Sequence, residues 1–243
     1  MKKYFFTLLI TLMAVMTTTT FVSCGDDDDN DGPGAASNNQ PNLKCPDDHH
    51  PHMIDLGMPS GTRWACCNVG ADKPEAYGGY YAWGETEEKT VYEEVTYQYC
   101  TGEDPDGVGF YGKNCNYQDI GSDIAGTQYD VAHVKWGASW QMPSLSQFKE
   151  LLDNSTSTWT TREGVYGRLF TGRNGNTIFL PAAGMHMHDD SSYVSSWGHY
   201  WSSTQLPSYL NSAHDFSFNS DGAVCSNYGR ICGRSVRPVI NQN

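Results

Sequence analysis

Positive charge is scarce in this 243-residue chain: 15 Lys and Arg stand against 28 Asp and Glu, a formal net charge of −13. That balance excludes nucleic acid as a partner, because phosphate contacts need a basic surface. Long apolar runs are missing too. The run from Tyr4 to Met16 falls short of the roughly 20 residues a membrane-spanning helix needs. Helix signals are few, whereas Gly, Tyr, Trp, Ser, Thr and Asn are abundant, which points to short strands joined by many turns. No fixed-period repeat is visible, and neither a phosphate loop, a metalloprotease helix nor a Ser-His-Asp order is present. Glu85 and Glu87 lie too close in sequence to be the facing pair of a glycosidase.

What is present begins with an export signal. Lys2 and Lys3 precede the apolar run, and Phe21-Val22-Ser23-Cys24 follows it, which is the charge, apolar core and small-residue order of a secretory leader. A Cys directly after Ser23 resembles the lipobox of bacterial lipoproteins. The resemblance implies a cleaved leader at residues 1–23 and a diacylglycerol thioether on Cys24. Each buried acyl methylene contributes about 0.8 kcal/mol, so two or three chains make a durable anchor to outer-membrane lipid. Gly25-Asp26-Asp27-Asp28-Asp29-Asn30-Asp31 repels itself and has nothing apolar to bury, so residues 24–52 read as an acidic, flexible tether. An acidic stretch right behind the lipidated Cys resembles the surface-export signal of Bacteroidetes lipoproteins, which implies a folded part outside the cell. Much of the negative charge belongs to this tether and says little about a binding surface.

Residues 53–243 have the size of one domain, with a core large enough to do without disulfides. Ser144 to Asp153 reads as a helix: Pro143 precedes it, Ser144 and Gln147 fit a capping box, and Leu145, Phe148, Leu151 and Leu152 share one face. A shorter helical turn is expected at Asp130 to Trp136. Hairpins follow. Asn174-Gly175 is flanked by Gly167–Thr171 and Thr177–Leu180, and Asp221-Gly222 by Asp215–Phe218 and Ala223–Cys225. Helices first and antiparallel strands later predict an α+β class, not βαβ units.

Seven segments now suggest a family. Ile54-Asp55-Leu56-Gly57-Met58-Pro59-Ser60-Gly61-Thr62-Arg63-Trp64-Ala65, Asn68-Val69-Gly70-Ala71, Tyr81-Ala82-Trp83-Gly84-Glu85, Trp140-Gln141-Met142-Pro143, Phe179-Leu180-Pro181-Ala182-Ala183-Gly184, Tyr200-Trp201-Ser202-Ser203-Thr204 and Ser235-Val236-Arg237-Pro238-Val239 together resemble the Fibrobacter succinogenes major paralogous domain, in order and across nearly the whole domain. The resemblance implies a loop-rich C-type-lectin-like fold with two short helices and antiparallel hairpins, related to the formylglycine-generating sulfatase-modifying group and carried on surface lipoproteins. It implies no ligand. Physically, Trp64, Trp83, Trp136, Trp140 and Trp201 suit an irregular core. Gly57, Gly61, Gly70, Gly84 and Gly184 suit turns with positive φ. Arg237 suits a structural hydrogen-bonder to loop carbonyls or a carboxylate.

Eight Cys include Cys24, and the others stand in an oxidising setting. Cys100–Cys115 and Cys225–Cys232 are the expected disulfides, while Cys45 stays free or pairs with Cys66. Formylglycine-generating enzymes hold copper on two nearby cysteines, so Cys225 and Cys232 also admit a cysteine-oxidising reading, although their spacing is longer and their flanks differ. No cofactor is otherwise implied. His186, His188 and Asp189 are weak metal candidates, because alternating ligands in one loop complete only part of a shell. Between Met185 and Arg230, Tyr193, Trp197, His199, Tyr209, Asn211, His214, Asn219, Asn227 and Tyr228 stand amid Ser and Gly, the composition of an adaptable recognition surface. The expectation is a non-catalytic surface domain that recognises an extracellular glycan or protein. A structural part in a surface assembly is the other reading. No Glu-Pro-Asn or Gln-Pro-Asp motif is present, so sugar binding would be calcium-independent.

Overall fold

The computed structural model describes residues 52–103, 115–137 and 139–241, all within one compact unit, Ser37–Asn243. The leader, Cys24, the acidic run and Cys45 lie outside the described residues. Among the described residues no helix is long and apolar enough to cross a membrane.

Among the described residues the architecture is loop-rich α+β, with thirteen short strands in small antiparallel sheets and two α-helices. β1 (Met53–Asp55) and β13 (Val239–Ile240) flank β2 (Arg63–Ala65), so the two ends of the domain share one sheet. β3 (Cys100–Glu103) and β4 (Cys115–Tyr117) form a hairpin joined by a Cys100–Cys115 disulfide. Helix α1 (Val131–Trp136) and helix α2 (Leu145–Asn154) come next. Three strands follow as one sheet, β5 (Ser155–Arg162), β6 (Val165–Gly172) and β7 (Thr177–Pro181). Then come the small pair β8 (Met185–Met187) and β9 (Asp190–Ser192), and the sheet β10 (Gly198–Gln205), β11 (Ser212–Phe218) and β12 (Ala223–Gly229).

Local chemistry explains the helices. The Ser144 side chain accepts from Gln147 N (3.3 Å), and Gln147 Oε1 accepts from Ser144 N (2.8 Å), the expected reciprocal cap of α2. Phe148 and Leu151 are fully buried. α1 is too short to persist alone, and Asp130 holds it. This buried carboxylate accepts from Ala132 N (2.9 Å), His133 N (3.2 Å), Gly126 N (2.9 Å) and Met142 N (2.9 Å), tying two loops to the helix start. Both hairpin turns form where Asn174-Gly175 and Asp221-Gly222 placed them. All five glycines expected at positive φ adopt it; at Gly184 (φ 67°) an added Cβ would also lie 2.3 Å from Ser192 O.

The sheet β10–β11–β12 divides two cores. Period-two alternation sends Tyr200, Phe216 and Phe218 toward Trp64, Phe148 and Phe170, with Phe148 stacked on Phe216 at 4.7 Å. Trp201 and Ala213 belong to the other cluster, with Trp83, Trp136 and Trp140. All five tryptophans assigned to the core are at most 2% exposed. Arg237 donates to Asn68 Oδ1 and to the carbonyls of Ala65, Cys66 and Phe179, all within 3.1 Å, so its partners are two strand carbonyls, one loop carbonyl and an amide, not a carboxylate.

Three expectations change. The helices do not come first, because β1 to β4 precede α1. β5 was not anticipated, and it follows α2 without a loop. Cys225 and Cys232 are free thiols. Cys225 leans from β12 onto the Phe216 cluster, whereas Cys232 lies within the Trp83 cluster, so the staple expected from their spacing does not form. Burial pushes both thiols up to about 11. Both are therefore protonated thiols at neutral pH.

Asp130→Ala leaves four backbone N–H groups short of an acceptor and should destabilise the domain by roughly 3 kcal/mol or more, read from denaturant unfolding.

Candidate functional site

One face of β10–β11–β12 carries side chains that a close-packed apolar core does not need. Cross-strand register sets His199 opposite Ser217, Trp201 opposite Asp215, and Tyr228 opposite Ala213. The segment before β13 lays Arg234 over this face. Its guanidinium lies between the Trp201 ring (4.8 Å) and the Tyr228 ring (4.4 Å) and pairs with the Asp215 carboxylate. Arg234 is 0% exposed and Asp215 2%. Such a pair must be closely matched, because each charge has lost its water.

His199 is held by the same group. Ser217 Oγ donates to Asp215 Oδ2 (2.6 Å), and His199 Nδ1 lies 2.9 Å from Ser217 Oγ and 3.3 Å from Arg234 Nη1. The Arg234 guanidinium can only donate, so Nδ1 accepts from Arg234 Nη1 in one tautomer and donates to Ser217 Oγ in the other. Ser217, His199 and Asp215 therefore touch in an order that differs from a nucleophilic triad, with the hydroxyl between imidazole and carboxylate instead of the imidazole between the other two.

An aromatic shelf lies on this base. Trp197 stacks on His199 with ring centroids 5.8 Å apart and planes 8° from parallel, and Tyr193 meets His199 at 6.2 Å. Tyr193 is 56% exposed and Trp197 half-buried. The loop is bent: His188 (φ 57°), Tyr193 (φ 64°) and Ser195 (φ 64°) adopt the left-handed region without being glycine, and such strain gathers at functional surfaces. Ser195 Oγ is also 3.1 Å from Tyr77 Oη.

The anticipated ligand residues thus divide. Tyr193, Trp197 and His199 meet, and Tyr228 joins them through Arg234. His214 and Asn227 face each other across β11 and β12 on the opposite face of the sheet, so they are not part of this group. Tyr209 (62% exposed) and Asn211 lie in the loop before β11, at the far end from Ser217; Asn211 O accepts from Arg230 N (2.9 Å). Asn219 closes the β11–β12 turn, accepting from Asp221 N and Gly222 N. Asp215, Ser217 and Arg234 were missed. The signal was in Asp215-Phe216-Ser217-Phe218, whose alternation sets two polar groups on the face away from the Phe core.

The weak metal candidates are engaged separately. His186 tilts against Tyr80 (4.2 Å) and Tyr92 (5.7 Å), His188 Nδ1 lies 3.7 Å from Glu93 Oε2, and Asp189 is exposed in the β8–β9 turn. Among the described residues no three His, Cys, Asp or Glu side chains gather to hold a metal ion.

Residues 153–239, which include the whole site, match the family described as Domain of unknown function (DUF8237). No curated protein and no solved structure matches the chain.

Burial holds the His199 imidazole below its usual range, with Arg234 adding to the effect against the pull of Asp215. Burial opposes ionisation of Asp215, but Arg234, His199 and Ser217 outweigh it and hold the carboxyl below the ordinary carboxylate range. In acid the folded chain therefore binds fewer protons at these groups than the unfolded chain does, so stability falls as pH falls. The loss starts below 6.5, the ordinary His value, with His186 contributing in the same direction, and resumes below 3.8 for Asp215. Thermal melts across this range should show both declines, and His199→Asn should reduce the first.

Proposed function

We propose that this chain is a lipid-anchored recognition protein of the outer membrane, exposed at the cell surface, which binds a neutral glycan on the Tyr193–Trp197–His199 shelf and performs no chemistry. The observation that carries the reading is the shelf itself: stacked, partly exposed rings on a rigid, fully desolvated ion pair. Flat aromatic faces pack on the C–H faces of sugars, and rings held from below lose little entropy on binding. The guanidinium nearest the shelf is committed to Asp215, which favours an uncharged ligand over an anionic one. Anchoring rests on the leader and Cys24. The loop-rich α+β architecture, with its two ends in one sheet, supports a C-type-lectin-like fold and the resemblance to the Fibrobacter succinogenes major paralogous domain. A protein ligand is the second reading, favoured by Val194, 39% exposed beside Tyr193.

Cells expressing the full chain should adhere to immobilised neutral glycans. Tyr193→Ala and Trp197→Ala should abolish adhesion while the protein stays on the cell, and Cys24→Ser should abolish it by releasing the protein. Adhesion to protein-coated surfaces alone would select the second reading. Adhesion to neither would sink both.

A further inference from the structure

The longer sheets end in different ways. The outer edge of β10 is covered: Trp201 N donates to Ser235 O (3.0 Å), Ser235 N to His199 O (3.2 Å), Ser203 N to Pro143 O (2.9 Å) and Ile124 N to Ser203 O (3.0 Å). β7 gives Phe179 O to Arg237 and Pro181 O to the Tyr200 hydroxyl. β5 differs. It pairs with β6 through all eight residues without a register shift, and among the described residues no other hydrogen bond reaches its backbone. Thr156, Thr158 and Thr161 are exposed.

Edge strands usually block pairing with another chain through Lys, Pro, a bulge or an inward charge. Ser155-Thr156-Ser157-Thr158-Trp159-Thr160-Thr161 has none of these and is rich in β-branched residues, so the edge is both open and well suited to pairing.

We propose that β5 is a self-association edge, pairing antiparallel with β5 of a second copy about a two-fold axis at Thr158, so that two three-stranded sheets become one of six strands. Symmetry and charge fix this register. A two-fold axis normal to the sheet keeps each side chain on its own face, so facing residues differ by an even number and one residue faces itself. With Thr158 at the centre, Thr156 faces Thr160, Ser157 faces Trp159 and Ser155 faces Thr161. All seven uncharged residues then pair, and one face of the junction is a row of threonines, a favourable cross-strand set. Any other centre sets Arg162 with the β5–β6 turn, or residues of α2, opposite this seven-residue segment. The partner is therefore another copy of this chain, whose edge meets no like charge in this register. β12 is the other long edge strand, and pairing of β5 with β12 would propagate open chains of copies instead of closing a dimer.

The test uses the full chain carrying Cys24→Ser, so that no lipid drives association. Light scattering should report a mass rising to that of a dimer with concentration, and Thr158→Lys should return it to a monomer with an unchanged melting temperature. Facing residues in an antiparallel pair have Cα atoms about 4.5–5.5 Å apart, within disulfide range. Thr158→Cys should therefore cross-link two copies on mild oxidation, well above the parent chain. Thr156→Cys, which faces Thr160, should not. A monomer at every concentration, a dimer indifferent to Thr158→Lys, one abolished by Val224→Lys on β12 instead, or equal cross-linking at 156 and 158 would each overturn the proposal.

Discussion

Arg234 carries a full charge where water does not reach, and the outer face of the β10–β12 sheet is arranged around that fact. A desolvated guanidinium costs several kcal/mol unless its surroundings replace the lost hydration. Asp215 supplies the opposite charge from β11, while Trp201 and Tyr228 supply ring faces from β10 and β12, so all three strands converge on one side chain from the segment before β13. Arg230 and Arg237 are equally buried but solve the problem differently, Arg230 with a tyrosine hydroxyl, two carbonyls and the Trp83 ring, Arg237 with three carbonyls and an amide. The Arg234 group extends outward, through Ser217 and His199, to the partly exposed rings of Trp197 and Tyr193.

That extension links packing to the proposed binding. A shelf of rings on a mobile loop would lose conformational entropy on binding, whereas Trp197 stacked on an imidazole that is itself hydrogen-bonded is largely ordered beforehand. The same chain of contacts also brings a serine, a histidine and an aspartate together. The hydroxyl of Ser217 stands between the Asp215 carboxylate and the His199 imidazole, so the three residue types meet in an order other than that of a triad.

Much of the fold was legible because its signals are local. Ser144 with Gln147, Asn174-Gly175 and Asp221-Gly222 each act within a few residues, and each appears where the sequence placed it. The tryptophan core was legible because large apolar groups have nowhere else to go. β5 was not: Ser155–Thr161 alternates hydroxyls with hydroxyls, only Trp159 marks an inner face, and the pairing that makes it a strand is supplied by β6. The site was half legible. Composition found Tyr193, Trp197 and His199, but it also drew in His214 and Asn227, which strand alternation turns to the other face. Asp215 and Arg234 became partners only through the meeting of β11 with the segment before β13. Of the two expected staples, Cys100 and Cys115 lie across a hairpin with Cα atoms 5.5 Å apart and join, whereas Cys225 and Cys232 are drawn into different cores.

The most direct test of the central claim is a double-mutant cycle in unfolding free energy between Asp215→Asn and Arg234→Met. If the buried pair organises this face, each single substitution leaves one uncompensated group and is strongly destabilising, about 3–5 kcal/mol, while the double variant loses much less than the sum. Two losses that simply add would show that Arg234 and Asp215 are accommodated independently, and that the aromatic shelf rests on something else.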